Sequence, residues 1–113
     1  VVGGGYSSIT VENSTIRDSP GAILIDLKAV CDLSLMRVHA IKTNQGSTPY
    51  QNIVSMSASG RNGSLFVRGG QYSSNTLYNK TGTTQWDVTV IGAAKADGVW
   101  SAGYFSNEIG VRK

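Results

Sequence analysis

The stretch Ser8-Ile9-Thr10-Val11-Glu12-Asn13-Ser14-Thr15-Ile16-Arg17-Asp18-Ser19-Pro20-Gly21-Ala22-Ile23 decides how this chain folds. It opens on apolar–x–apolar, Ile9-Thr10-Val11, the two-residue period of a strand with one buried face. A polar bend with Asn13 follows, then a further apolar residue, Ile16. Asp18-Ser19-Pro20-Gly21 is a turn, and Ile23-Leu24-Ile25 starts another apolar run. The same form recurs. Ile9-Thr10-Val11, Leu33-Ser34-Leu35, Leu65-Phe66-Val67 and Val88-Thr89-Val90 begin 24, 32 and 23 residues apart. A second set, Ile23-Leu24-Ile25, Ile53-Val54, Leu77-Tyr78 and Val99-Trp100, interleaves at 30, 24 and 22 residues. Both sets stretch at one place, where the polar segment Thr43 to Tyr50 reads as an outward loop.

A repeat in the low twenties with two or more strands per cycle predicts a solenoid. One coil cannot bury its apolar side alone, so coils stack on one core with strands in parallel about 4.8 Å apart. The expected fold is therefore all-β: a right-handed parallel β-helix of about four coils with an irregular C-terminal cap. Handedness follows the general preference for right-handed parallel connections. Residues 1–7 read as a flexible lead-in, 8–91 as coils, and 92–113 as a terminal coil with a cap or trimer contact. The expected inward positions are Ile9, Val11, Ile16, Ile23, Ile25, Leu33, Leu35, Val38, Ile53, Leu65, Val67, Leu77, Val88 and Val90, with Leu27, Met56 and Val99 behind them. The competing fold is a small antiparallel sandwich or jelly roll. Asn62-Gly63 is a hairpin signal that would pair residues 51–58 with 64–68.

Composition agrees with a turn-rich β chain. Gly, Ser, Thr and Asn fill 44 of 113 positions, only 15% of residues are charged, and the net charge is +3. Disorder would need a more charged, less apolar chain, and a helical bundle more Ala, Glu, Lys and Leu. One cysteine, Cys31, excludes an internal disulfide, and one histidine, His39, excludes a multi-histidine metal site. No G-x-S-x-G elbow accompanies His39, which reads as a strand residue. Gly3-Gly4-Gly5 lacks the Lys-Ser/Thr of a phosphate loop. The sequon matches at Asn13, Asn62 and Asn79 carry little weight in a chain so rich in Ser, Thr and Asn. No cofactor and no metal are expected. No apolar run reaches membrane-spanning length and no signal peptide opens the chain, so membrane insertion is not expected. The start at Val1 without a Met reads as an excised or processed fragment.

Residues 8–23 resemble a coil of the right-handed parallel β-helix superfamily. There an apolar–x–apolar strand, an Asn-containing bend, a further apolar residue and a Gly corner recur in each coil. The superfamily includes pectate lyases, polygalacturonases and phage tailspikes. Short irregular coils rich in Ser, Thr, Gly and Asn look most like a bacteriophage tailspike or tail-fibre segment. The resemblance is one of fold pattern and covers residues 6–103 loosely. It implies a homotrimeric fibre on the virion tail that contacts bacterial surface polysaccharide, of which this chain is one piece. Tailspikes often cleave that polysaccharide with paired Asp or Glu residues. No lyase or polygalacturonase motif is recognisable, so no catalytic residue is carried over and activity is not expected of this segment alone.

Candidate chemistry rests on few residues. Glycoside hydrolysis needs two carboxyls, about 5–5.5 Å apart for retention or roughly 6.5–9.5 Å for inversion. Asp32 and Asp87 each precede the first strand of their coil, two coils apart, which makes them the catalytic candidates of a depolymerase. Their structural alternative is a turn or cap role. Residues 33–86 hold no acid but carry Arg37, Lys42, Arg61, Arg68 and Lys80. Such a surface suits an anionic glycan, with Arg37 and Arg68 as candidate contacts, or is a solvated face. Nucleic acid is not expected, because the cations are scattered and no binding motif is present. Trp86, Trp100 and Tyr104 are candidate sugar-stacking residues for a depolymerase or a non-catalytic carbohydrate-binding module. The alternative role for them is covering the open last coil or contacting a second subunit.

Overall fold

The computed structural model describes residues 7–43, 48–59, 62–96 and 111–112. Twelve strands follow in order among the described residues: β1 (Ser7–Glu12), β2 (Thr15–Arg17), β3 (Ile23–Leu27), β4 (Cys31–Met36), β5 (His39–Ile41), β6 (Tyr50–Met56), β7 (Gly63–Arg68), β8 (Gln71–Tyr72), β9 (Ser74–Lys80), β10 (Trp86–Ile91), β11 (Ala94–Lys95) and β12 (Val111–Arg112). They sort into three sheets, β1-β4-β7-β10-β12, β2-β5-β8-β11 and β3-β6-β9. Every pairing is parallel. The chain visits one sheet after another and returns one step along, so it is a parallel β-solenoid of about four coils. The antiparallel alternative is thereby corrected. β6 and β7 belong to different sheets, and Gly63 is the first residue of β7, so Asn62-Gly63 closes no hairpin.

In the first sheet the register follows the sequence spacing. Ile9 pairs with Leu33, Leu33 with Leu65, and Leu65 with Val88. Burial alternates along β4, β7 and the first residues of β10, as one packed face demands. In the third sheet Ile23 pairs with Asn52, one residue away from the expected Ile53. Ile23 is 40% exposed, a correction to its inward assignment: it opens β3 directly after the exposed Gly21-Ala22, while Ile25 and Leu27 on the same face are buried. In β6 burial runs unbroken from Asn52 to Met56, and in β9 Leu77 and Tyr78 are both buried, so these strands are covered on both faces.

The corner between the first and second sheets is the same in all four coils. Two residues separate the strands each time: 13–14, 37–38, 69–70 and 92–93. The first of each pair is left-handed, with φ of 52° at Asn13, 54° at Arg37, 65° at Gly69 and 69° at Gly92. The amides of Asn13, Arg37 and Gly69 donate to Met36, Arg68 and Ile91 carbonyls at 2.7–2.9 Å, which carries the ladder through the bend. Arg37 Nε also donates to Asn13 Oδ1, 2.7 Å away.

The core runs the length of the stack, through Leu33, Leu35, Val38, Ile53, Leu65, Val67, Leu77 and Val88. Its largest members are Trp86, Tyr50, Tyr72 and Tyr78, all at most 1% exposed. Gly63 makes room for Trp86: a Cβ there would lie 2.6 Å from the indole and 2.9 Å from the Cys31 carbonyl oxygen. Ile9, Val11 and Ile16 of the first coil are only half-buried, packed on the core from one side.

Candidate functional site

The outward face of the first sheet is built by the same alternation that builds the core. Between the inward residues, β1, β4, β7 and β10 each present three side chains outward. These align into columns: Ser8–Asp32–Ser64–Asp87, Thr10–Ser34–Phe66–Thr89 and Glu12–Met36–Arg68–Ile91. The result is a ribbon along the stacking axis: two columns of hydroxyls and carboxylates around Phe66, and a third that mixes Glu12 and Arg68 with Met36 and the exposed Ile91.

Asp32 and Asp87 both pair with Ser64 and therefore stand two rungs apart in one column. Two steps of about 4.8 Å put their backbones about 9–10 Å apart. Ser64 Oγ, one rung nearer Asp87, donates to Asp32 Oδ1. Asp32 is half-buried and Asp87 exposed. Ser64 is the member of this trio that sequence reasoning passed over. Its signal was available, since it sits 32 residues after Asp32 and 23 before Asp87. Beneath the column, burial and then the Asp32 carboxylate push the Cys31 thiol up. The buried thiol is thus a poor nucleophile.

The other candidates disperse. Arg68 is exposed at the end of β7, on the ribbon. Arg37 lies at the first corner, its guanidinium bonded to Asn13. Trp86 is fully buried and gives no face to a sugar ring, a correction to its stacking role. The cause is its register, directly after Cys31 and Gly63 in an inward column. Trp100 and Tyr104 lie outside the described residues. Phe66, half-exposed at the centre of the ribbon, is the aromatic the structure offers in their place. Among the described residues, no three His, Cys, Asp or Glu side chains gather to hold a metal ion. No helix among them is long and apolar enough to cross a membrane.

Comparison with protein-family models, with curated proteins and with solved structures returned no match. The class that fold and site define is a parallel β-solenoid with a polar outer ribbon.

Proposed function

We propose that this chain is a structural and receptor-binding segment of a phage tailspike or tail fibre, and that its outer ribbon contacts bacterial surface polysaccharide. The observation that supports this most is the ribbon itself, because its columns repeat along the stacking axis. A polysaccharide is likewise a linear repeat, rich in hydroxyls and with apolar ring faces. Ser34, Ser64 and Thr89 supply matching hydrogen-bonding groups, and Phe66 a stacking surface. Three such chains side by side would form the shaft of a fibre. Binding to a panel of purified capsular and lipopolysaccharide glycans tests the reading, with light scattering for the trimer. Expected are a trimer and saturable binding to an anionic glycan that weakens in Phe66→Ser and Arg68→Ser. A monodisperse monomer that binds none of the panel contradicts it.

A second reading, depolymerase activity, draws support from the Asp32–Ser64–Asp87 column. The backbone spacing of two rungs lies at the upper edge of the roughly 6.5–9.5 Å carboxyl separation for inverting hydrolysis, and Ser64, on the rung between them, donates to Asp32. Such an enzyme releases reducing ends that vanish in Asp32→Asn and Asp87→Asn. Cleavage undiminished in the double variant removes this site.

A further inference from the structure

The corner between the second and third sheets differs in each coil. It spans residues 18–22 in the first coil, 42–49 in the second, and Ser73 alone in the third. Between the described parts of the two long corners lies an open cleft of about 360 Å³ lined by Asp18, Pro20, Gly21, Lys42, Pro49 and Gln51, among others. That volume falls at the small end of the roughly 300–1,000 Å³ typical of ligand pockets. A cleft on a loop that lengthens only locally, over a regular scaffold, is where binding residues gather.

The walls are held in place. Asp18 sits at φ 53°, and its two carboxylate oxygens accept from the Thr43 amide (2.6 Å) and hydroxyl (2.9 Å). Lys42 Nζ donates to the Gly21 carbonyl at 2.9 Å and lies 4.3 Å from the centroid of the Tyr50 ring. Tyr50, fully buried beneath it, donates its hydroxyl to the Ser19 carbonyl at 3.2 Å. Both Lys42 contacts are with groups that bear no formal charge. The ammonium has three N–H donors; one goes to Gly21 and one faces the Tyr50 ring, so one remains for a ligand. Fixing a long side chain beforehand removes an ordering cost from binding.

We infer that this pocket is a binding site for one acidic sugar unit, its carboxylate on Lys42, its hydroxyls on Gln51 and the corner carbonyls, and its C–H faces on Pro20 and Pro49. The inference rests on the polysaccharide reading but assigns the receptor unit to a different place, the corner pocket, and to a definite chemistry, a uronate. A free inorganic anion would use Lys42 and the Gln51 side-chain amide but leave the proline walls idle.

The test is a titration of the isotope-labelled full chain, followed by amide shifts, with short oligomers of galacturonate and of glucuronate. Neutral maltotriose and sodium phosphate are run as separate arms. Expected are saturable shifts at Gly21, Ala22, Thr43 and Gln51 with a uronate oligomer and far weaker ones with maltotriose or phosphate. Lys42→Met lowers the uronate affinity by about tenfold or more, as loss of a charged hydrogen bond does, and the same spectra report whether it is folded. Gln51→Ala, on the exposed rim, lowers affinity about threefold, within the range of one neutral hydrogen bond. Phosphate binding as tight as the uronate overturns the sugar assignment. Equal binding of maltotriose, or a folded Lys42→Met with unchanged affinity, overturns the acidic one. Shifts confined to Ser64, Phe66 and Arg68, or no shifts at all, overturn the pocket. The ribbon reading is judged separately, by the polysaccharide panel and the Phe66 and Arg68 variants.

Discussion

Two corners of the same coil behave in opposite ways. The first, between the first and second sheets, has two residues in each of four coils and a left-handed residue at its head each time. The second takes five residues, then eight, then one. The first corner carries the parallel ladder round a bend, and any change of length there would slip the register of a whole sheet. The second lies where the stack tolerates added chain, because a loop over the surface disturbs no ladder. The fixed corner is therefore scaffold, and the variable one is where the fold has room for a site.

The scaffold side of this contrast breaks most readily at Trp86. Trp86→Ala empties the space over Gly63 and should cost about 3–5 kcal/mol, read as a loss of thermal and denaturant stability. If Trp86→Ala melts like the parent, the packed column Cys31–Gly63–Trp86 is wrong.

Alkaline pH gives the next largest effect. Burial pushes the Tyr72 hydroxyl up to about 12, against 10 for a free tyrosine. Its folded value is the higher one, so the unfolded chain loses the proton first. The contribution to stability is then fully present below pH 10 and is lost as pH rises from 10 towards about 12. Denaturant midpoints should fall over that window, and Tyr72→Phe should flatten the fall.

Gly92 isolates the backbone of the fixed corner. A Cβ there meets nothing within 4 Å, yet its φ is 69°. Gly92→Ala should therefore cost about 1–2 kcal/mol through the left-handed conformation alone, and Gly92→Asn less, because Asn tolerates that region. Equal stability of the Ala variant would deny the corner its conformational role. The variable corner should respond least: Gln51→Ala stays within about 0.5 kcal/mol of the parent in a thermal melt, as exposed positions do.

Much of the scaffold could be read from the chain. Ile9, Leu33, Leu65 and Val88 announce the first sheet, because alternating strands buried on one face leave a two-residue pattern that repeats with each coil. That pattern also placed Asp32 and Asp87 in one column. The second sheet hid because its strands shorten to two residues at β8 and β11, too few for any period. Arg37 hid as a corner residue because arginine has no left-handed preference, whereas Gly69 and Gly92 do. The sequence hides Tyr72, Tyr78 and Trp86 from the core because their polar atoms suggest a surface, and Tyr50 because it closes the polar segment read as an outward loop, whereas it opens β6 fully buried. Gly63 was the missed clue to Trp86, since a side chain absent from one rung leaves volume for a large one on the next. The corner pocket was legible only as a polar insertion. Lys42 and Asp18 are 24 residues apart, and only the stacking of coils brings them to one cleft.

The contrast between corners stands on the in-register parallel stack, and nuclear Overhauser contacts of the labelled chain test that directly. The account predicts inter-strand backbone contacts between Leu33 and Leu65 and between Leu65 and Val88, with Asn13 close to Met36 and Gly69 close to Ile91. Contacts mirrored about Asn62-Gly63, joining residues 51–58 to 64–68 in antiparallel order, would contradict it.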